Sequence, residues 1–344
     1  MSGSKEALGG ASVTDGAAAE KAADGAVGLG NWSTVSVSLR RELAERLDPE
    51  RLRELHKTSG WRHGLVAVRQ LLLLLACGWV IVSWPELWWA WVPAAVLLGF
   101  VVFAFTVLLH EVVHRAVLKN RNGRMNRVLA WAYALPSGIS SSQFTRWHLD
   151  HHAELGSEDA DPKRHHLTPK IVKRWYKLLY MTPALFPIYF RAAKKETATY
   201  DAGVQTRIRW ERRATILTHL LIAAAIFLAW GAPILLRLYV LPVFFVFPVA
   251  FTINRLGQHY DIDPNDPAAW GTIIKSNPVW NLLFLWSSFH MEHHYFPGVP
   301  FYNLPALHKE LRPILEAHPM RVRTYGGLLW DWLVSNKAPH TDWA

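Results

Sequence analysis

Of the 17 histidines in the sequence, eight fall into three tight clusters. The first is His110-Glu111-Val112-Val113-His114, the second His148-Leu149-Asp150-His151-His152, and the third His290-Met291-Glu292-His293-His294. Side chains three and four residues apart stack on one face of a helix, and one helical turn rises about 5.4 Å. Each cluster therefore presents two or three imidazoles in one direction, close enough to reach one metal ion or two side by side. Exposed polar residues at helix ends have no physical reason to share this spacing. Neutral imidazole suits iron, copper, nickel and zinc. The single cysteine, Cys77, lies in an apolar run and rules out a cysteine-ligated iron–sulfur cluster or zinc ribbon within this chain. Imidazole and carboxylate remain as ligands.

Taken alone, HEVVH is also the zinc metalloprotease signature, with Glu111 as general base. Such a site needs one further ligand and leaves two complete HxxHH clusters unexplained. A bis-histidine haem would set single histidines facing each other inside a helical bundle, whereas these sit in groups.

The elements that carry the clusters read as membrane spans. Just over half of the 344 residues are apolar (51%), 19% are charged, and 18 are Trp, a residue enriched at headgroup layers. Apolar runs extend over about 65–84 and 87–109, joined by Pro85-Glu86, and over about 214–230 and 234–253, joined by Gly-Ala-Pro. Each is near the length that crosses a hydrocarbon core, which predicts four crossings in two hairpins. All of the 37 Lys and Arg except Arg69 and Arg237 lie outside these runs, and none lies in the first hairpin's link. That bias places both termini and the histidine clusters on the cytoplasmic side. Arg69 and Arg237 are expected to snorkel from span ends.

Residues 1–35, rich in Gly, Ala and Ser, read as a disordered tail without a secretory signal peptide. Residues 36–63 read as an amphipathic helix on the membrane surface or against the rest of the protein. The long middle segment includes Met125 to Leu135 and Tyr176 to Phe190, short or proline-broken, and expected to be interfacial or re-entrant. Residues 311–344 form a cytoplasmic C-terminal segment. The formal charge of +10 accompanies no nucleic-acid-binding pattern, and fits anionic headgroups and an acidic protein partner better.

An HX3H, an HX2HH and a final HX2HH, separated by these hairpins, resemble the histidine boxes of the integral-membrane fatty acid desaturase and hydroxylase superfamily. The stretch FHMEHHYFPGVPFYNLPALH, Phe289 to His308, is similar to the bacterial fatty acid desaturase branch, and the resemblance covers about Leu65 to His308. It implies an all-α membrane protein, with two transmembrane hairpins under a cytoplasmic helical cap that holds two irons. The family has a further ligand between the last crossing and the third box, and His259 in NRLGQHY matches it. The implied ligand set is His110, His114, His148, His151, His152, His259, His290, His293 and His294. The family's Asn one helical turn before that ligand, which holds a metal-bound water, has its nearest counterpart in Asn254, five residues upstream rather than four. The implied activity is desaturation of an acyl lipid with O2 and two electrons; the alternative within the superfamily is a hydroxylase or ketolase acting on a lipid, alkane or carotenoid. With no flavin motif, cysteine cluster or fused haem module, the electrons must come from a separate ferredoxin, rubredoxin or cytochrome.

Further residues carry lesser expectations. Asp150 and Glu292 are placed to accept the second ring N–H of a ligand histidine, or to face solvent. His165 and His166 are spare ligands or surface-loop residues. His219, inside the third run, suggests function unless it reaches the headgroups. Phe144, Trp147 and Trp286 line an acyl channel or simply pack.

Overall fold

In the computed structural model, residues 32–118, 123–157, 160–260, 266–318 and 320–337 are described. Residues 1–31 of the expected tail and the last residues, 338–344, lie outside them. The described residues are mostly helical. Their strands are two short segments, β1 (Ile273–Ile274) and β2 (Val322–Arg323), paired parallel with Ile273 opposite Val322.

Chain order begins with α1 (Trp32–Val35), α2 (Val37–Arg46) and α3 (Pro49–Leu55). The amphipathic stretch is thus not one helix. Asp48 caps a new one, accepting from the Glu50 and Arg51 amides at 3.3 and 3.1 Å, with Pro49 in its first turn. Leu39, Leu43, Leu47 and Leu55 are buried in the protein core, so the apolar face turns to the protein body rather than the bilayer surface. Helix α1 falls within the expected tail, ordered because the Trp32 side chain is buried.

Helix α4 (Gly60–Ser83) starts at Ser59, whose hydroxyl accepts from the Arg62 amide. It therefore takes over the last residues of the predicted amphipathic segment. His63, Gln70, Cys77 and Ile81 form its buried seam, while Leu65, Leu72, Leu75 and Trp79 face outward. It packs along α5 (Trp88–Val113), the central helix, which is apolar all round and buried over most of its length. That is the pattern of a helix surrounded by others.

The middle segment supplies α6 (Gly123–Ala134), α7 (Ser141–Glu154), α8 (Arg174–Leu179) and α9 (Leu185–Thr197), all shorter than a span. Next come α10 (Ala202–Leu235), a wide π-helical stretch (Leu236–Val246) and α11 (Phe247–Leu256). Gly231, at φ 77° and ψ −180°, breaks α10 with a backbone conformation that favours glycine. The chain turns back there, since the Tyr239 hydroxyl donates to His219 Nδ1 at 2.6 Å across the break. The π stretch lies against α5, and Gly99 permits the approach: a Cβ there would overlap the Val246 side chain. Among the described residues, three helical stretches are long and apolar enough to cross a membrane, Pro49–Ser83, Trp88–Val113 and Ala202–Leu256, and the last contains the reversal at Gly231.

The remaining elements are α12 (Pro278–Leu283), α13 (His290–Tyr295), α14 (Leu304–Ala317) and α15 (Tyr325–Leu329). Lys177 in α8 anchors the chain's end, donating to the carbonyls of Trp332 and Lys337 at 2.7 and 2.5 Å.

Candidate metal centre

Four pieces of chain deliver the histidines. His110 and His114 lie at the end of α5, His148, His151 and His152 on α7, His259 just after α11, and His290, His293 and His294 on α13. The start of α7 is pinned to α10 by the Glu211 carboxylate. It accepts from Ser140 Oγ at 2.6 Å, from the Ser142 amide at 2.9 Å and from Ser142 Oγ at 2.6 Å.

The structure brings all nine histidines together in two adjacent groups. His110, His114, His148, His152 and His293 form one; His151, His259, His290 and His294 form the other, and within each group the available ligand atoms lie within 4.8 Å of one another. Each HX2HH helix straddles both groups. Its residues four apart share a group, 148 with 152 and 290 with 294, while the third, His151 or His293, turns to the opposite one. Three and four residues around a helix differ by about 100° in direction, and that angle divides the boxes.

Ring nitrogens face ring nitrogens. His114 Nε2 lies 2.7 Å from His148 Nε2, and His293 Nε2 lies 3.2 Å from His152 Nε2. In the second group His259 Nε2 sits 3.1, 2.9 and 3.0 Å from the Nε2 atoms of His151, His290 and His294. An imidazole nitrogen offers one proton or one lone pair, so these contacts cannot all be hydrogen bonds. They are donor atoms converging on a common centre. Nitrogens bound at about 2.0–2.1 Å to a tetrahedral ion lie about 3.4 Å apart, close to what is seen. The donor set is wholly imidazole and fits two divalent first-row ions side by side.

Burial keeps the donors neutral, the form that binds metal. It pulls His151 down to about 4, and His148, His152, His290, His293 and His294 well below the usual histidine value. Two rings are also oriented from behind. His151 Nδ1 donates to Asp161 Oδ1 at 3.0 Å, and His259 Nδ1 to the Trp270 carbonyl at 3.0 Å, which fixes the tautomer and aims Nε2 inward. Asp161 also accepts from the Gly156 and Lys163 amides.

Asp161 takes the place that the sequence suggested for Asp150 and Glu292. Asp150 pairs instead with Arg146 at 3.1 Å, and Glu292 accepts from His308 Nδ1. Asp161 lies ten residues beyond His151 in a loop, without helical spacing to betray it. Glu111, the base of the zinc-protease reading, is buried and accepts the Phe301 amide at 2.9 Å, and both HEVVH histidines belong to the five-membered group.

Beside both groups lies a cavity of about 110 Å³, walled by Phe103, Val107, Phe144, Trp147, Phe247 and Phe251 and touching His110, His148, His290 and His293. Phe144 and Trp147 are thus cavity-wall residues. Trp286 is not one of them, and stacks on Phe301 at 5.7 Å. Lys163 reaches the same cavity, and burial beside Arg255 pulls its ammonium down to about 7. Asn254, also in the wall, donates to Ser287 Oγ at 2.5 Å and accepts from Gln258 Nε2 at 2.8 Å. His165 and His166 stand outside the two groups, His166 paired with Glu196 at 3.3 Å. His219 is a structural link: besides accepting from Tyr239 it donates to the Leu135 carbonyl at 2.8 Å. Arg237 donates to the Pro85 carbonyl and lies over the Trp91 ring.

Residues 86–326 match a family described as fatty acid desaturase. Among curated proteins, the human sphingolipid delta(4)-desaturase/C4-monooxygenase DES2 is 28% identical, with 78% of this chain and 79% of the relative aligned. The sphingolipid delta(4)-desaturase DES1 of Gallus gallus is 26% identical over 65% of this chain and 67% of its own length. The acyl-lipid omega-13 desaturase of Chlamydomonas reinhardtii is 23% identical, over 76% and 64%.

Proposed function

The chain belongs to the fatty acid desaturase family of oxidoreductases, and from that premise we propose that it is a membrane enzyme that introduces a C=C bond into the acyl chain of a lipid, using O2 and two irons held by the nine histidines. The observation that carries this reading is the pairing of a five- and a four-histidine group beside one largely apolar cavity. Bound there, two irons supply, with O2 and two external electrons, the capacity to remove hydrogen from an unactivated C–H bond.

The chain's own part is positional. Burial holds the imidazoles unprotonated, while Asp161 and the Trp270 carbonyl orient His151 and His259. The phenylalanines of the cavity keep water from the reacting carbon and hold an extended chain against His110 and His293. The electrons come from a separate donor of the ferredoxin, rubredoxin or cytochrome type, which a basic cytoplasmic face would suit.

In this reading the reversal at Gly231 divides Ala202–Leu256 into a second hairpin, so the chain crosses the bilayer four times. The termini and the metal centre then share the cytoplasmic side, in keeping with the distribution of Lys and Arg. Residues 64–310 make the catalytic domain, with the preceding helices and the C-terminal segment packed on its cap.

Mass spectrometry of lipids from a host of defined composition, with iron analysis of the purified protein, tests the proposal. The expected result is a new double bond and one iron for each histidine group. Unchanged lipids from iron-loaded enzyme supplied with a competent donor would refute it.

One observation favours a second substrate class. Two of the relatives are named as sphingolipid delta(4)-desaturases, and beside its phenylalanines the cavity wall includes the polar residues Thr106, Asn254, Gln258 and Ser287. A chain carrying a hydroxyl or amide near the reacting carbon, as a sphingolipid does and a plain alkyl segment does not, suits such a wall. Hydroxylation is the alternative outcome on either substrate, and the same mass spectra separate it from desaturation. Competition between the two lipid classes decides the substrate.

A further inference from the structure

Trp32 is buried to 2% exposure at the start of α1, far from the histidine boxes in sequence. Its indole meets the His294 ring edge to face, with centroids 5.8 Å apart and planes at 85°. It also lies 4.9 Å from the Tyr295 ring and 6.0 Å from that of Trp270. The Trp270 carbonyl is the acceptor that orients His259. The Trp32 backbone N–H donates at 2.9 Å to the carbonyl of Leu155, the residue that ends α7 one turn beyond His151. A single residue of the N-terminal segment therefore meets the end of α7, helix α13 and the tryptophan whose carbonyl orients His259.

His294 has particular need of such a contact. His151 and His259 are oriented by hydrogen bonds from Nδ1, but His294 Nδ1 has no hydrogen-bond partner. Packing must set the rotation of its ring, and of the rings against it Trp32 is the one that is not itself a histidine of the two groups. The indole is itself held firmly. Ser36 Oγ donates to the Trp32 carbonyl at 2.5 Å, and Leu39 and Leu43 bury the helix that follows.

We propose that Trp32 is a positioning residue for the four-histidine group, so that the N-terminal segment tunes the metal affinity of that position and not of its five-histidine neighbour. The inference rests on reading the two groups as metal sites. Outer groups that orient a ligand change metal affinity by about 10–100-fold, and Trp32 acts on one ligand directly and on two others through Trp270 and Leu155.

The test is a titration of metal-free, detergent-purified full-length protein with Co2+, followed by its visible absorption. Wild type takes up metal in two steps. Trp32→Leu, which keeps the site filled with apolar volume but removes the ring, weakens one step about 10–100-fold and leaves the other unchanged. Trp32→Phe, which retains an aromatic edge, restores the wild-type curve. Two unchanged steps in Trp32→Leu overturn the positioning role alone, and so does equal weakening of both steps. A wild-type protein that binds a single Co2+ overturns the two-metal reading beneath it.

Discussion

The imidazoles of His152 and His294 lie nearly parallel, with centroids 4.0 Å apart and planes 9° apart, although they belong to different histidine groups. One comes from α7 and the other from α13. Their stacking is the closest ring contact between the groups, and it ties the two candidate ion positions into one centre.

His294→Ala is expected to abolish turnover and to leave the five-histidine group loaded, so that iron per chain falls by half. Iron analysis beside product formation checks this. Loss of all iron would mean that the groups do not bind independently.

Asp161 and Asp150 invite a paired comparison. Asp161→Asn weakens the hold on His151 and should lower metal affinity about 10–100-fold. Asp150→Asn removes only an ion pair with the exposed Arg146 side chain and should change stability by less than about 0.5 kcal/mol. Equal metal affinity in the two variants would refute the orienting role of Asp161.

Gly99→Ala tests the contact between α5 and the π stretch. The new methyl would overlap Val246, and overpacking of this kind costs about 1–3 kcal/mol. A lowered melting temperature in detergent is expected, and an unchanged one would show that Val246 yields freely.

Acidity should destabilise the metal-free protein. The folded state holds His151 down to about 4, and His152 and His294 well below the usual histidine value, whereas unfolded histidine titrates near 6.5. Between those values the unfolded chain binds more protons, so stability rises with pH there. The contribution is complete above about 6.5 and is lost as pH falls toward 4, and melting temperatures across that range should trace it. A flat profile would show that the histidines are not buried neutral.

The three boxes were legible in the sequence because spacing of three and four is a local property that a helix converts directly into a shared face. Their division into five and four was not legible, since it depends on how α7 and α13 are rotated against each other. The apolar runs announced their helices, but the π stretch after Leu235 left no periodic mark. The break before Pro49 was written in the Asp-Pro pair, a cap signal that the regular leucines outweighed. Asp161 and Trp32 act from a loop and a distant segment. Only the tertiary fold brings them to the ligands.

The straddling of both groups by α7 and α13 bears on how the centre assembles. An ion captured at either position draws on both helices and so clamps α7 to α13. Half-loaded protein should accordingly already resist proteolysis better than the metal-free chain, with the second ion adding further protection.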